Sequence, residues 1–93
     1  MELHCIIRGN VQGVMFRDFA QRKARGLKIV GTVKNQLDGS VEVWATGEEK
    51  NLQKLLELLH KGPLLTRTRI FIEKVEVKFN EPTRNFSDFK IIY

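Results

Sequence analysis

Residues 9–17 read GNVQGVMFR. Two glycines, Gly9 and Gly13, precede an arginine, Arg17. The stretch runs from the end of a strand-like pattern into the start of a helical one. Backbone N–H groups at such a junction have no helical partners and point together. With the positive end of the helix dipole they form a concavity suited to an anion. Gly9 and Gly13 let the backbone bend where side chains would interfere. Arg17, in the first helical turn, brings a planar five-donor fork that matches two phosphate oxygens at once. A glycine turn before a helix is common, and an arginine there is often a plain surface residue, so the stretch alone leaves both readings open. It is not a Walker motif, because the G-x-x-x-x-G-K-[ST] pattern is missing. Nor is it the dinucleotide fingerprint, which needs three glycines and a downstream acid.

Other polar residues give weaker signals. Asn35 opens a turn toward Asp38-Gly39, and by itself an asparagine there is a turn residue. Asp38 and Gly39 are assigned to turn geometry. Asp18 reads as a helix-dipole residue facing away, since a carboxylate in the hollow would repel phosphate. His4 and His60 share no metal-ligand spacing and read as surface residues. The Gln12 side chain is placed to brace the loop. Cys5 is the one cysteine, which excludes an intramolecular disulfide and a cysteine-based zinc site. It reads as a small buried apolar group.

The chain has 93 residues, 42% of them hydrophobic and 29% charged, so one domain spanning 1–93 with a small two-layer core is expected. No apolar run is long enough to span a bilayer and no signal peptide is visible. A reducing cytoplasmic setting is the expectation. Sixteen Lys and Arg against 11 Asp and Glu leave a net charge of +5. That balance suits an anionic partner, though a solvated basic surface is the default reading.

The elements that must position these residues follow from periodicity. Leu3, Cys5 and Ile7 alternate with polar residues in a strand ending at Gly9. Phe16, Phe19, Ala20 and Ala24 share one helical face, and Gly26 is a plausible stop. Ile29–Lys34 is a second strand, and Asp38-Gly39 turns the chain into a third through Val41, Val43 and Ala45. Leu52, Leu55, Leu56 and Leu59 mark a second helix closed by Gly62-Pro63. Within Thr68–Phe79, Ile70 and Ile72 have one parity and Val75, Val77 and Phe79 the other. One face cannot take both sets, so a bulge is expected near Glu73-Lys74. Phe89–Tyr93 forms a short last strand. The order is that of a ferredoxin-like βαββαβ sandwich, class α+β. Two helices would cover one face of a mostly antiparallel sheet, with a short fifth strand and parallel pairing of the strands that flank each helix.

GNVQGVMFR closely resembles the acylphosphatase signature G-x-V-Q-G-V-x-[FY]-R. Residues 31–41, GTVKNQLDGSV, are similar to the second signature of that family, G-x-V-x-N-x-x-D-G-x-V, at a similar interval from Arg17. The resemblance extends over nearly the whole chain. It implies a small enzyme that hydrolyses acyl phosphates to a carboxylate and inorganic phosphate, with no metal or organic cofactor. It implies phosphate held by the backbone amides of Gln12, Gly13, Val14, Met15 and Phe16 and by the Arg17 side chain, with the attacking water positioned by Asn35. That chemistry is coherent. Phosphoryl transfer is catalysed mainly by positioning and charge. A carboxylate leaves without a general acid, so no catalytic histidine is required. Asn35 cannot be a base, but its amide can orient water for in-line attack.

Two places depart from the family pattern. Leu27-Lys28-Ile29 stands where the family often has Leu-Gly-Leu, and Gly26 is expected to carry the chain reversal instead. The segment Leu64–Phe71 is longer than usual. Two other functions share the fold: a basic RNA-binding module and an inactive phosphate-binding member. The aromatic motif K/R-G-F/Y-G/A-F-V-x-F/Y is missing, so nucleic acid is not the expected partner. A monomer acting on a small acyl phosphate, away from membranes, is the expectation.

Overall fold

The computed structural model describes residues 1–12, 14–63 and 70–93. Seven elements follow in order: β1 (Glu2–Asn10), α1 (Val14–Gly26), β2 (Val30–Asn35), β3 (Val41–Thr46), α2 (Glu49–Lys61), β4 (Phe71–Asn80) and β5 (Phe89–Ile92). The strands form one sheet in the order β4-β1-β3-β2-β5. β3 pairs antiparallel with both β1 and β2, and β1 pairs antiparallel with β4. β5 adds to β2 in parallel, Gly31 opposite Phe89.

This is the expected ferredoxin-like sandwich with one correction. The strands flanking each helix run in the same direction but do not pair. β3 stands between β1 and β2, and β1 stands between β3 and β4. A crossover over a helix fixes direction and hand, and it leaves room for an intervening strand.

Alternation decides the core. Leu3, Cys5 and Ile7 of β1, Val33 of β2 and Val41, Val43 and Ala45 of β3 are fully buried. From α1 the same core receives Phe16, Phe19, Ala20 and Ala24, and from α2 Leu52, Leu55 and Leu59. Each fully buried Leu, Ile or Phe contributes roughly 1.5–3 kcal/mol relative to exposure. Leu56 is only half-buried, whereas Leu58 packs at the core's edge. Cys5 is buried as expected, and desolvation pushes its thiol up to about 12.

The bulge lies where parity demanded it. Arg8 sits opposite Lys74 and Gly9 opposite Ile72, leaving Glu73 as the extra residue. That switch lets Ile72 and Val75 both pack on the core. Gly9 is required there: its φ is +135°, and a Cβ would lie 2.1 Å from the Phe71 carbonyl oxygen. Most of the Leu64–Phe71 segment, with the expected strand start at Thr68, lies outside the described residues.

The reversal after α1 differs from expectation. Gly26 ends the helix without a positive φ, and Lys28 takes the left-handed conformation, φ 57°. Ile29 N–H donates to the Ala24 carbonyl at 2.9 Å and Lys28 N–H to the Arg25 carbonyl at 3.1 Å. That pair of bonds places the reversing residue two positions beyond Gly26. α2 closes as expected, with Gly62 at φ 70° donating to the Leu58 carbonyl at 2.9 Å.

Candidate active site

The loop between β1 and α1 leaves the sheet at Asn10 and is anchored by Val11, which is fully buried. α1 begins at Val14, two residues before the expected Phe16. The amides of Val14, Met15 and Phe16 are therefore first-turn amides without intrahelical acceptors. No acidic residue occupies this first turn. Phe16 is fully buried and pins the turn, while Met15 is exposed. Of the five amides expected to hold phosphate, Gly13 lies outside the described residues; Gln12, Val14, Met15 and Phe16 occupy the loop end and the helix start.

Arg17 follows in the same turn and is 93% removed from solvent, at 7% exposure. Its guanidinium carbon lies 4.8 Å from the centroid of the Tyr93 ring. A positive charge at a helix N-terminus is opposed by the helix dipole. Asp18 faces away, as expected, and pairs with Arg22 at 2.9 Å on the outer face of α1.

Asn35 is the last residue of β2, opposite Val41 of β3. Its side-chain Oδ1 is buried and has no hydrogen-bond donor among the described residues. A buried acceptor without a protein donor is uncommon and points to a water or ligand partner. Asn35 lines a pocket of about 720 Å³ together with Lys34, Gln36, Leu37, Asp38 and Tyr93. Tyr93 thus touches both halves: its ring covers Arg17 and walls the pocket that Asn35 lines.

The hairpin after Asn35 is tightly tied. Gln36 N–H donates to the Ser40 carbonyl at 2.8 Å. Asp38 accepts from the Ser40 hydroxyl and from Ser40 N–H at 3.0 Å, and Arg8 donates to it at 3.1 Å. These contacts, the Ser40 hydroxyl foremost, lower the Asp38 carboxyl from 3.8 to about 2. Arg8 also binds Glu76 of β4, and both carboxylates raise its guanidinium. Asp38 and Gly39 therefore serve turn geometry as expected, with Gly39 at φ +93°.

Elsewhere, His60 is exposed on α2, within 2.9 Å of the Leu56 carbonyl. His4 departs from the surface reading: it is half-buried, stacked on Trp44 at 3.8 Å between ring centroids, and 2.8 Å from Glu42. Arg84 lies over the same indole at 4.0 Å. Trp44 on the open sheet face is thus already packed by two side chains.

A profile of the acylphosphatase family matches residues 3–91. The chain belongs to that family. An acylphosphatase of Archaeoglobus fulgidus is 41% identical over 92 residues, covering 98% of this chain and 97% of that protein. One from Salinibacter ruber is 40% identical over 85 residues, 91% of this chain and 85% of that one. The crystal structure of acylphosphatase from Bacillus subtilis superposes with a TM-score of 0.87 at 34% identity, covering 99% of this chain and 98% of that one. The acylphosphatase family hydrolyses acyl phosphates, and both signatures of this member fall at the loop and hairpin described above.

Tyr93 is the neighbour of the candidate site residues Arg17 and Asn35 that periodicity missed. Its approach to Arg17 depends on β5 adding beside β2, which no local pattern announces. No helix among the described residues is long and apolar enough to cross a membrane. No group of three or more His, Cys, Asp or Glu side chains fit to hold a metal occurs among them.

Proposed function

We propose that the loop at Gln12–Phe16 and Arg17 bind the phosphoryl group of an acyl phosphate while Asn35 orients the attacking water. The observation that carries this reading is the buried, donorless Oδ1 of Asn35, on a residue that lines a pocket together with Tyr93, whose ring lies 4.8 Å from the Arg17 guanidinium. First-turn amides and the guanidinium neutralise the equatorial phosphoryl oxygens, where charge spreads in the transition state. Water donates one O–H to Asn35 Oδ1, which leaves an oxygen lone pair free to attack phosphorus in line. The new P–O bond forms as the bond to the carboxylate oxygen breaks. The carboxylate departs with that electron pair, and the water's proton passes to a phosphoryl oxygen. No step requires a metal, an organic cofactor or a protein base. The chain acts in this reading as one domain, a cytoplasmic monomer.

The test is hydrolysis of benzoyl phosphate in the presence of a chelator. Arg17→Ala and Asn35→Ala, each checked for folding by circular dichroism, are expected to lose about 10²–10³-fold in kcat/KM. Wild-type turnover that stops on chelation, or full turnover in either folded variant, would overturn the assignment.

A further inference from the structure

Gln12 offers more than a backbone amide. Its side-chain Nε2 donates to two carbonyl oxygens of the hairpin, Gln36 at 2.5 Å and Ser40 at 3.2 Å. The same two carbonyls close that hairpin from within. Ser40 O accepts from Gln36 N–H at 2.8 Å, and Gln36 O accepts from Gly39 N–H at 3.2 Å. A primary amide carries two hydrogens on one nitrogen, so one Nε2 serves both acceptors. Both partners are carbonyls, which settles the amide's orientation: only the NH₂ end can face them.

The sheet alone does not set how far the phosphate loop stands from Asn35. β3 separates β1 from β2. The last row that spans the three strands is Ile7–Val41–Asn35. Gln12 lies beyond that row, on the far side of the bulge and of the exit from β1. Asn35 lies on the row, immediately before Gln36. The Gln12 side chain bridges the two segments directly, and Asp38 and Arg8 extend the tie to β1 and β4.

We propose that Gln12 is a positioning residue, whose side-chain amide sets the separation between the bound phosphoryl group and the water held by Asn35. The inference rests on the roles assigned above to Arg17 and Asn35. In-line attack requires the water oxygen within about 3–3.5 Å of phosphorus, and a misplacement near 1 Å costs about 10²-fold. The loss therefore belongs to kcat and runs through Asn35.

Three substitutions test it on benzoyl phosphate, with inorganic phosphate as competitive inhibitor. Gln12→Met keeps the length of the side chain and removes the donors. It is expected to lower kcat by about 10–100-fold, with KM and the phosphate inhibition constant held within about 3-fold. In the Asn35→Ala background the same substitution is expected to cost less than about 3-fold, since its route is already gone. Gln12→Glu places a carboxylate against two carbonyls. Relative to wild type it is expected to recover below about pH 5, as its carboxyl regains an O–H donor. Gln12→Met shows no such recovery.

Multiplying costs in the double variant would overturn the proposal, as would a phosphate constant raised about tenfold at unchanged kcat. A Gln12→Glu profile parallel to wild type would do the same. Should Gln12→Met fail to fold, Gln12→Glu alone and with Asn35→Ala makes the same comparison. A wild type inactive on every acyl phosphate would remove the parent reading, whereas an active wild type with additive costs removes this inference alone.

Discussion

Replacing Lys28 by glycine should stabilise the protein without touching its chemistry. Lys28 closes α1 at φ 57°, a conformation that costs an L-residue about 1–2 kcal/mol. Glycine removes that cost and returns about 0.5–1 kcal/mol through the larger entropy of the unfolded chain. The difference is a net gain of about 0.5–1 kcal/mol. Both bonds of the reversal, Ile29 to Ala24 and Lys28 to Arg25, use backbone atoms and survive the change. For a domain of this size the gain corresponds to a rise in Tm of about 2–8 °C. Urea unfolding followed by the fluorescence of Trp44, the one tryptophan, should show a higher midpoint at unchanged slope. Lys28 lies beyond the C-terminal end of α1, about 20 Å along the helix from the phosphate loop. The kcat and KM for benzoyl phosphate should therefore stay at wild-type values. Gly26→Ala is the companion variant. Gly26 has no positive φ, and a Cβ there meets nothing within 4 Å. Alanine should gain up to about 1 kcal/mol by helix propensity. A lower midpoint for Lys28→Gly, or a destabilised Gly26→Ala, would refute the placement of the reversal.

Two further outcomes follow from the site. The Asp38 carboxyl is lowered to about 2, so its ionised form favours the fold fully above its ordinary value of 3.8, and that contribution fades as pH falls toward 2. The gap in urea midpoint between wild type and Asp38→Asn should be constant from neutral pH to about 4.5 and close by about pH 2. A gap that persists at the lowest pH would contradict the charge as its source. The Tyr93 ring lies 4.8 Å from the Arg17 guanidinium and is itself 89% exposed. A contact of that kind contributes about 0.5–1 kcal/mol, so Tyr93→Leu should lower kcat/KM for benzoyl phosphate by about 2–5-fold. Unchanged kcat/KM would mean that the ring does not support the guanidinium.

The bulge at Glu73 was legible because two apolar sets of opposite parity cannot share a face unless one residue is extra. Helix α2 was legible from its leucines, since a 3.6-residue period leaves one choice of buried side. The reversal after α1 was misplaced because glycine is the usual left-handed residue and Gly26 was at hand. Tertiary packing of Ile29, 2% exposed, against the core instead holds Lys28 in that conformation. His4 was read as exposed because a single histidine among alternating residues gives no hint of the indole one strand away.

Side-chain alternation, helical period and turn chemistry act over a few residues, so the sequence by itself determined the elements and the class of fold, and left the loop ending in Arg17 open between an anion site and a plain helix start. Kinship with a known signature added Asn35, which local chemistry left as a turn residue. The order of strands decided the rest. Placing β3 between β1 and β2, and β5 beside β2, brings Tyr93 over Arg17 and the Gln12 side chain onto the hairpin behind Asn35. Those contacts join residues 24 and 76 positions apart, and their energies depend on where the packed core seats each strand end rather than on any pattern within a strand.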